Sequence, residues 1–166
     1  NVAVNVAMHS LHALGFPDRV LGLIAETGLD PSAVTLEVTE SQFMENDVAC
    51  IESLLRLRLR QVELSIDDFG TRYASLSQLR TLPFTELKID RTFVAGAGHD
   101  EKARAILESS VALGLKLGLK VVAEGVETLD DWHRVSETGC QMAQGYFISR
   151  PLPADQVLEW RMQRSG

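Results

Sequence analysis

The chain has 166 residues, of which 45% are hydrophobic, and this is enough for one domain with a substantial core. Its formal charge of -7 and pI near 5.1 argue against a general binder of nucleic-acid phosphates, so we expect no DNA partner. No apolar run approaches the roughly 20 residues of a membrane span, and we expect a soluble, cytoplasmic domain. Cys50 and Cys140 are far apart and no histidines cluster, so neither a disulfide framework nor a zinc site is predicted.

Short apolar segments alternate with longer helical ones along the chain, which is the pattern of a parallel sheet covered by helices. Strands are predicted at residues 2–7, 34–40, 62–68, 86–90, 120–126 and 141–147. Helices are predicted at residues 18–28, 45–60, 100–118, 128–139 and 154–164. The second helix ends in the alternating run LRLRLR, which also resembles a strand. We favour the helix, because cations stabilise a helix C-terminus and a strand follows at once.

Each predicted strand carries a polar residue that directly follows an apolar one. Because strand side chains alternate between two faces, these residues point to the same side of the sheet. In an open doubly wound sheet, helices cover both faces, and such residues would be buried without a role. In a closed β/α barrel they line the interior and meet at the carboxyl ends of the strands, where active sites form. In chain order they are Asn5, Glu37, Asp67, Lys88, Glu124 and Gln144, with intervals of 32, 30, 21, 36 and 20 residues.

We therefore predict an α/β fold, a TIM-like (β/α) barrel that is incomplete at its N-terminus. Closure takes about eight strands, whereas six are predicted here, so about two strands are expected before Asn1. The chain also begins without methionine, inside the apolar stretch NVAVNVA, which already has the pattern of a strand. We expect residues 1–166 to be the C-terminal three-quarters of a domain that belongs to a longer protein.

An excess of acidic groups is expected at the mouth of this barrel, with Lys88 as the cation that offsets them. Oxygen-only ligands favour Mg²⁺, Mn²⁺ or Ca²⁺ over zinc. Two such ions roughly 4 Å apart suit phosphate-ester hydrolysis, because they lower the pKa of a shared water and stabilise the charge that develops at phosphorus. Lys88 would hold that water or neutralise a phosphate oxygen, and the residues leave open whether the ester is a phosphodiester or a phosphomonoester. The candidate ligands are Asn5, Glu37, Asp67, Asp68 and Glu124.

Five segments in order also resemble the EAL domain of bacterial cyclic-di-GMP phosphodiesterases: LEVTES (36–41), DDFGTRYASL (67–76), LKIDRTFV (87–94), VVAEGVET (121–128) and QGYFISRPLP (144–153). The resemblance implies a modified TIM barrel of the EAL type. It implies an enzyme of second-messenger signal transduction that opens cyclic di-GMP to linear pGpG with Mg²⁺ or Mn²⁺. It assigns metal binding to Asn5, Glu37, Asp67, Asp68 and Glu124, and catalytic roles to Lys88, Glu124, Glu127 and Gln144. Lys88 would orient the attacking water, and Glu40 would anchor the loop after Asp68.

The same resemblance implies a homodimer, to which the loop after Asp68 contributes, and an upstream sensor or response-regulator receiver domain. Two features depart from the family pattern. The glutamate of the Glu-Ala-Leu motif would lie on an upstream strand, so the chain as given lacks one expected ligand. The loop usually reads DDFGTGYSS, whereas here Arg72 replaces a glycine and Ala74 replaces a serine. Positive φ costs arginine more than glycine, so Arg72 would make the loop stiffer or place it differently if the position needs that conformation. The alternative is that Arg72 is exposed and the substitution is harmless.

Three functions are compatible with these residues. The first is an active cyclic-di-GMP phosphodiesterase, which the set of acidic residues supports. The second is a degenerate EAL module that binds the dinucleotide or a protein partner without turnover. The third is an unrelated metal-dependent β/α-barrel lyase or isomerase. Metal-dependent release of pGpG would distinguish the first from the other two.

Overall fold

A computed structural model describes residues 1–39, 48–71, 79 and 81–164 of the chain. In this part of the chain six parallel strands form one sheet, and each pairs with its neighbours in sequence. The sheet curls into a half-barrel with helices outside it, which confirms the predicted β/α-barrel architecture. Three positions discussed above, Glu40, Arg72 and Ala74, lie outside the described residues. The strands are β1 Val2–Asn5, β2 Val34–Thr39, β3 Glu63–Phe69, β4 Glu86–Ile89, β5 Lys120–Ala123 and β6 Met142–Ala143.

Among the described residues, the longer helices lie where helical patterns were predicted. Helix α2 begins at Phe16 and ends before Gly28, whose φ of +69° is typical of a glycine that caps a helix C-terminus. Helices α1 and α4 span four and six residues, which is too short for a helical periodicity to show in the sequence. The helices are α1 Met8–Leu11, α2 Phe16–Thr27, α3 Val48–Leu59, α4 Arg91–Gly96, α5 Glu101–Lys116, α6 Leu129–Glu137 and α7 Val157–Arg164, with 3-10 turns at Pro31–Ala33 and Ala154–Gln156.

The last two strands are shorter than predicted. Strand β5 ends at Ala123 and β6 at Ala143, so Glu124 and Gln144 directly follow their strands instead of lying within them. Backbone hydrogen bonds nevertheless continue the ladder, because the N–H of Glu124 donates to the carbonyl of Ile89 at 3.0 Å and the N–H of Gln144 to that of Ala123 at 2.8 Å. Both residues therefore remain at the carboxyl edge of the sheet.

The apolar core lies between the outer face of the sheet and the helices. Strand residues Leu64 and Leu87 are fully buried there, as are Leu54 of α3 and Leu107 of α5. Removal of such side chains from water is the main stabilising contribution to the fold. The opposite face, inside the half-barrel, is polar even where it is buried: it carries Thr35, Glu37, Ser65 and Lys88. The period-2 pattern of the strands thus separates an apolar outer face from a polar inner face.

Candidate active site

Lys88 of β4 is the centre of the polar cluster. Its Nζ lies 2.6 Å from Glu124 Oε1, 2.9 Å from Glu37 Oε1 and 3.2 Å from Asp67 Oδ1. Lys88 is 4% exposed and Glu37 is 8% exposed, so these contacts are largely shielded from water. One buried ammonium group therefore joins carboxylates that come from β2, from β3 and from the end of β5. Four of the six inward polar residues predicted from the strands meet at this point.

The electrostatics of the cluster keep Lys88 charged. Burial alone would lower the pKa of Lys88, but the hydrogen bonds that it donates to Glu124 and Glu37 outweigh burial, and its pKa lies above the ordinary lysine value. Burial raises the pKa of Glu124, and the hydrogen bond from Lys88 only partly opposes this effect. The site thus combines a permanent cation with a carboxylate whose affinity for a proton is increased.

Asp67 and Asp68 serve the same site because β3 is irregular between them. Adjacent side chains of a regular strand point to opposite faces. Here the pairing with β4 shifts between Ile66 and Phe69, and Asp68 has a φ of +58°. Such a bulge redirects side chains, and aspartate is among the residues that tolerate this left-handed conformation. The N–H of Asp68 donates to Asp67 Oδ1 at 3.1 Å, which fixes the two residues relative to each other.

The residues after the two aspartates form a close turn against helix α4. Gly70 has a φ of +96°, and a Cβ added to it would lie 2.9 Å from Cε2 of Phe93. A larger residue would therefore meet both backbone strain and a steric conflict. Thr71 closes the turn, since its hydroxyl donates to the carbonyl of Asp68 at 2.9 Å. The turn thus explains why glycine and threonine follow Asp-Asp-Phe in the sequence.

The acidic residues converge closely enough to share a metal ion. Asp67, Asp68 and Glu124 each offer one carboxylate oxygen, and these oxygens lie within 4.8 Å of one another. Glu37 is connected to this group through Lys88. All of these donors are hard oxygen ligands, as Mg²⁺ and Mn²⁺ prefer. The donor set therefore fits a divalent cation of this class.

Asp90, which follows β4, is an acidic neighbour that the sequence analysis did not assign to the site. Burial raises the pKa of Asp68, and the charges of Asp67 and Asp90 and a hydrogen bond with Asp90 raise it further. Asp90 also caps helix α4, because its Oδ1 accepts a hydrogen bond from the N–H of Thr92 at 2.9 Å. Its position directly after a strand, like those of Glu124 and Gln144, is the sequence signal that identifies it.

The remaining predicted site residues lie around the cluster. Asn5 is exposed at the end of β1 and pairs in register with Glu37. Gln144 lines a cavity of about 330 Å³ together with Glu37 and Lys88. Gln144, Glu124 and Glu127 also line a neighbouring cavity of about 240 Å³. These residues thus surround the carboxylates with polar, solvent-accessible space.

A sequence model of the EAL domain family matches residues 1–151 of the chain. The chain belongs to the EAL domain family. One relative is the bifunctional diguanylate cyclase/cyclic di-GMP phosphodiesterase MucR of Pseudomonas aeruginosa, to which the chain is 44% identical over 158 residues. This match covers 95% of the chain but only 23% of that relative.

Solved structures agree with this assignment of the EAL domain. The MucR phosphodiesterase in complex with cyclic di-GMP gives a TM-score of 0.90 at 43% identity, with 95% of this chain and 64% of that chain covered. Klebsiella pneumoniae BlrP1 in complex with manganese and cyclic di-GMP gives a TM-score of 0.84 at 34% identity, with 90% and 38% covered. The described helices of this EAL domain include none with the length and apolar character needed to cross a membrane.

Proposed function

We propose that this EAL domain hydrolyses cyclic di-GMP to linear pGpG with two bound Mg²⁺ or Mn²⁺ ions. The observation that carries the proposal is the convergence of Asp67, Asp68 and Glu124 within 4.8 Å, beside the buried ammonium of Lys88. The similarity to MucR and BlrP1 supports the choice of ligand, because both have been solved with cyclic di-GMP and BlrP1 also with manganese. Apart from the glutamate of the Glu-Ala-Leu motif, the acidic residues that the family resemblance assigns to metal binding are present in the chain.

The residues that would hold the ions are those at the carboxyl ends of the strands. Asp67, Asp68 and Glu124 form the core of the ligand set, and Glu37 and Asn5 extend it across β2 and β1. Divalent ions bound there would supply an activated water and neutralise the negative charge of the phosphate.

The side chains of the chain itself would orient the substrate and handle the proton. Lys88 stays protonated, so it can donate a hydrogen bond to the attacking water or to a phosphate oxygen but cannot act as a base. Glu124 lies 2.6 Å from Lys88 Nζ, so its carboxylate would be beside the same water and would accept its proton. Gln144 and Glu127 line the cavity beside Glu124, where they would contact the dinucleotide.

The domain organisation is part of the same proposal. Among the described residues, β1 pairs with β2 alone and β6 with β5 alone, so the half-barrel has two open edges. Upstream strands would close the barrel between them and bring the glutamate of the Glu-Ala-Leu motif to the site. Residues 1–166 would then be the C-terminal three-quarters of an EAL domain that follows a sensor or receiver domain and forms a homodimer. Glu40 would anchor the loop after Asp68.

The test is turnover of cyclic di-GMP by the full-length protein. The protein is incubated with cyclic di-GMP and either Mg²⁺ or Mn²⁺, and the products are separated by chromatography. We expect linear pGpG, and none when EDTA removes the ions. Binding of cyclic di-GMP by calorimetry without any product would identify a receptor, and product that forms in EDTA would refute the metal-dependent mechanism.

A further inference from the structure

We propose that Lys88 is the built-in counter-ion of the acidic cluster, and that its ammonium competes with divalent cations for the carboxylates of Glu37, Asp67 and Glu124. This inference rests on the proposed metal-dependent function and adds a role to the same site. It predicts that Lys88 stabilises the protein before metal binds and weakens the affinity for the metal. Lys88 is thus a positioning residue for the metal ligands, apart from any contact with the substrate.

Two of the carboxylates that Lys88 contacts are also candidate metal ligands. Two of its three partners, Asp67 and Glu124, are also members of the group that offers ligand oxygens within 4.8 Å of one another. Its distances to these oxygens, 3.2 Å and 2.6 Å, are those of charge-assisted hydrogen bonds. An oxygen that accepts a hydrogen bond from an ammonium group has less electron density to offer a cation. Lys88 and a divalent ion would therefore bind the same two carboxylates.

The backbone of Lys88 keeps its ammonium in this place. Lys88 lies within β4 between Leu87 and Ile89, both of which are fully buried in the core. The strand is held on both sides, by β3 and by β5, so the backbone cannot move away when a cation arrives. The side chain is 6% exposed, and its charged end would have to cross the cavity to leave the cluster. Competition with an incoming ion is thus enforced by the fold.

Charge repulsion adds to this competition. The four acidic groups, Glu37, Asp67, Asp68 and Glu124, carry a total of four negative charges when ionised, and Lys88 cancels one. A divalent ion that binds the same carboxylates approaches an ammonium group with the same sign of charge. Lys88 therefore opposes the ion by repulsion as well as by its hydrogen bonds to the carboxylates.

A second lysine of the inner face provides a matched control. Lys120 begins β5 and lines the same cavity as Lys88. Its side chain is 53% exposed, and its Nζ lies 4.0 Å from Glu63, which is not a member of the cluster. Substitution of Lys120 removes the same charge from the same cavity but no contact with the candidate ligands. The control separates direct competition from a general effect of net charge.

The experiment compares Lys88→Met, Lys120→Met and the wild-type full-length protein in the absence of cyclic di-GMP. Calorimetry measures the affinity for Mn²⁺, and thermal unfolding is followed in EDTA and in Mn²⁺. We expect Lys88→Met to bind Mn²⁺ at least about tenfold more tightly than the wild type. In EDTA it should unfold at a lower temperature, because its buried carboxylates lose their counter-ion, and Mn²⁺ should restore more stability to it than to the wild type. Lys120→Met should bind Mn²⁺ like the wild type.

Equal or weaker Mn²⁺ binding by Lys88→Met would overturn the proposal, since Lys88 would then assist the ligands instead of competing with the ion. If Lys88→Met folds only when Mn²⁺ is present, the ion replaces the lysine and the proposal is supported; a variant that stays unfolded in saturating Mn²⁺ refutes it. Lys88→Arg keeps the charge and should bind Mn²⁺ no more tightly than the wild type. If Lys88→Met binds Mn²⁺ more tightly as expected but the wild type forms no pGpG, the proposed function is refuted and this inference is not. If the wild type forms pGpG but Lys88→Met binds Mn²⁺ with unchanged affinity, this inference is refuted and the proposed function is not.

Discussion

Gly145 is a position where one added methyl group is expected to disrupt the site. A Cβ at this position would lie 2.1 Å from the carbonyl oxygen of Val126 and 2.4 Å from its nitrogen. These atoms belong to the backbone and cannot rotate away. The same peptide groups are held by hydrogen bonds, from the N–H of Val126 to the carbonyl of Gln144 and from the N–H of Phe147 to the carbonyl of Val126, both at 3.0 Å. Gly145→Ala must therefore separate the segments that carry Glu124 and Gln144.

The cost of this separation follows from two contributions. Overpacking a closely packed region costs about 1–3 kcal/mol. Loss of the two backbone hydrogen bonds adds about 1 kcal/mol each. We expect Gly145→Ala to lower the free energy of unfolding by about 3–5 kcal/mol, a large fraction of the roughly 5–15 kcal/mol that stabilises a typical domain. Turnover should fall as well, because Gln144 directly precedes the substituted residue.

Urea unfolding of the full-length protein, followed by circular dichroism, measures this change. Gly22→Ala is the matched control, because Gly22 lies within helix α2 and nothing lies within 4 Å of a Cβ added there. Alanine favours a helix over glycine by about 0.5–1 kcal/mol, so this variant should be more stable than the wild type. A free energy of unfolding for Gly145→Ala within about 1 kcal/mol of the wild-type value would contradict the steric conflict at Gly145.

Other substitutions test the supports of the site. Asp131→Ala should lower the free energy of unfolding in urea by about 2–4 kcal/mol and reduce pGpG formation. The buried Asp131 carboxylate accepts hydrogen bonds from the N–H groups of Thr128 and Glu127 and from the Thr128 hydroxyl. A variant as stable as the wild type would contradict this expectation. Ser65→Ala should change the free energy of unfolding by less than about 0.5 kcal/mol or increase it, since the buried Ser65 hydroxyl has no hydrogen-bond partner among the described residues. Ser53→Ala should lower the free energy of unfolding by about 1 kcal/mol, because the Ser53 hydroxyl donates a hydrogen bond to the carbonyl of Leu11 at 2.9 Å. Equal losses for the two serine variants would show that the Ser65 hydroxyl also has a hydrogen-bond partner.

The alternation of side chains along strands predicted much of the inner face. Each of four polar residues directly follows an apolar one, and the period-2 alternation of strand side chains places all four on one side of the sheet. They are Glu37, Asp67, Lys88 and Glu124. Their position at one edge of the sheet follows from the parallel order of the strands, which the alternation of strands and helices also indicates. The inner face was therefore predictable from local pattern.

Other features depend on tertiary contacts and do not show in the pattern. In a regular strand Asp68 would point away from Asp67, and only the bulge with its φ of +58° brings the two together. The three contacts of the Lys88 ammonium group depend on the distances from β4 to β2, β3 and β5, which no spacing in the sequence specifies. Gly70 is required by the approach of Phe93, a residue on a helix too short to be predicted.

Hydrolysis of cyclic di-GMP by Asp67→Asn tests the central claim most directly, because Asp67 belongs both to the carboxylate group and to the contacts of Lys88. The full-length wild type, Asp67→Asn and Glu86→Gln are compared as Mn²⁺ is increased, and pGpG is measured by chromatography. Glu86 lines the inner cavity but lies outside the carboxylate group, so it controls for the loss of a negative charge. We predict Mn²⁺-dependent pGpG formation by the wild type and Glu86→Gln, and its loss in Asp67→Asn. Wild-type turnover by Asp67→Asn would contradict the assignment of this cluster as the catalytic metal site.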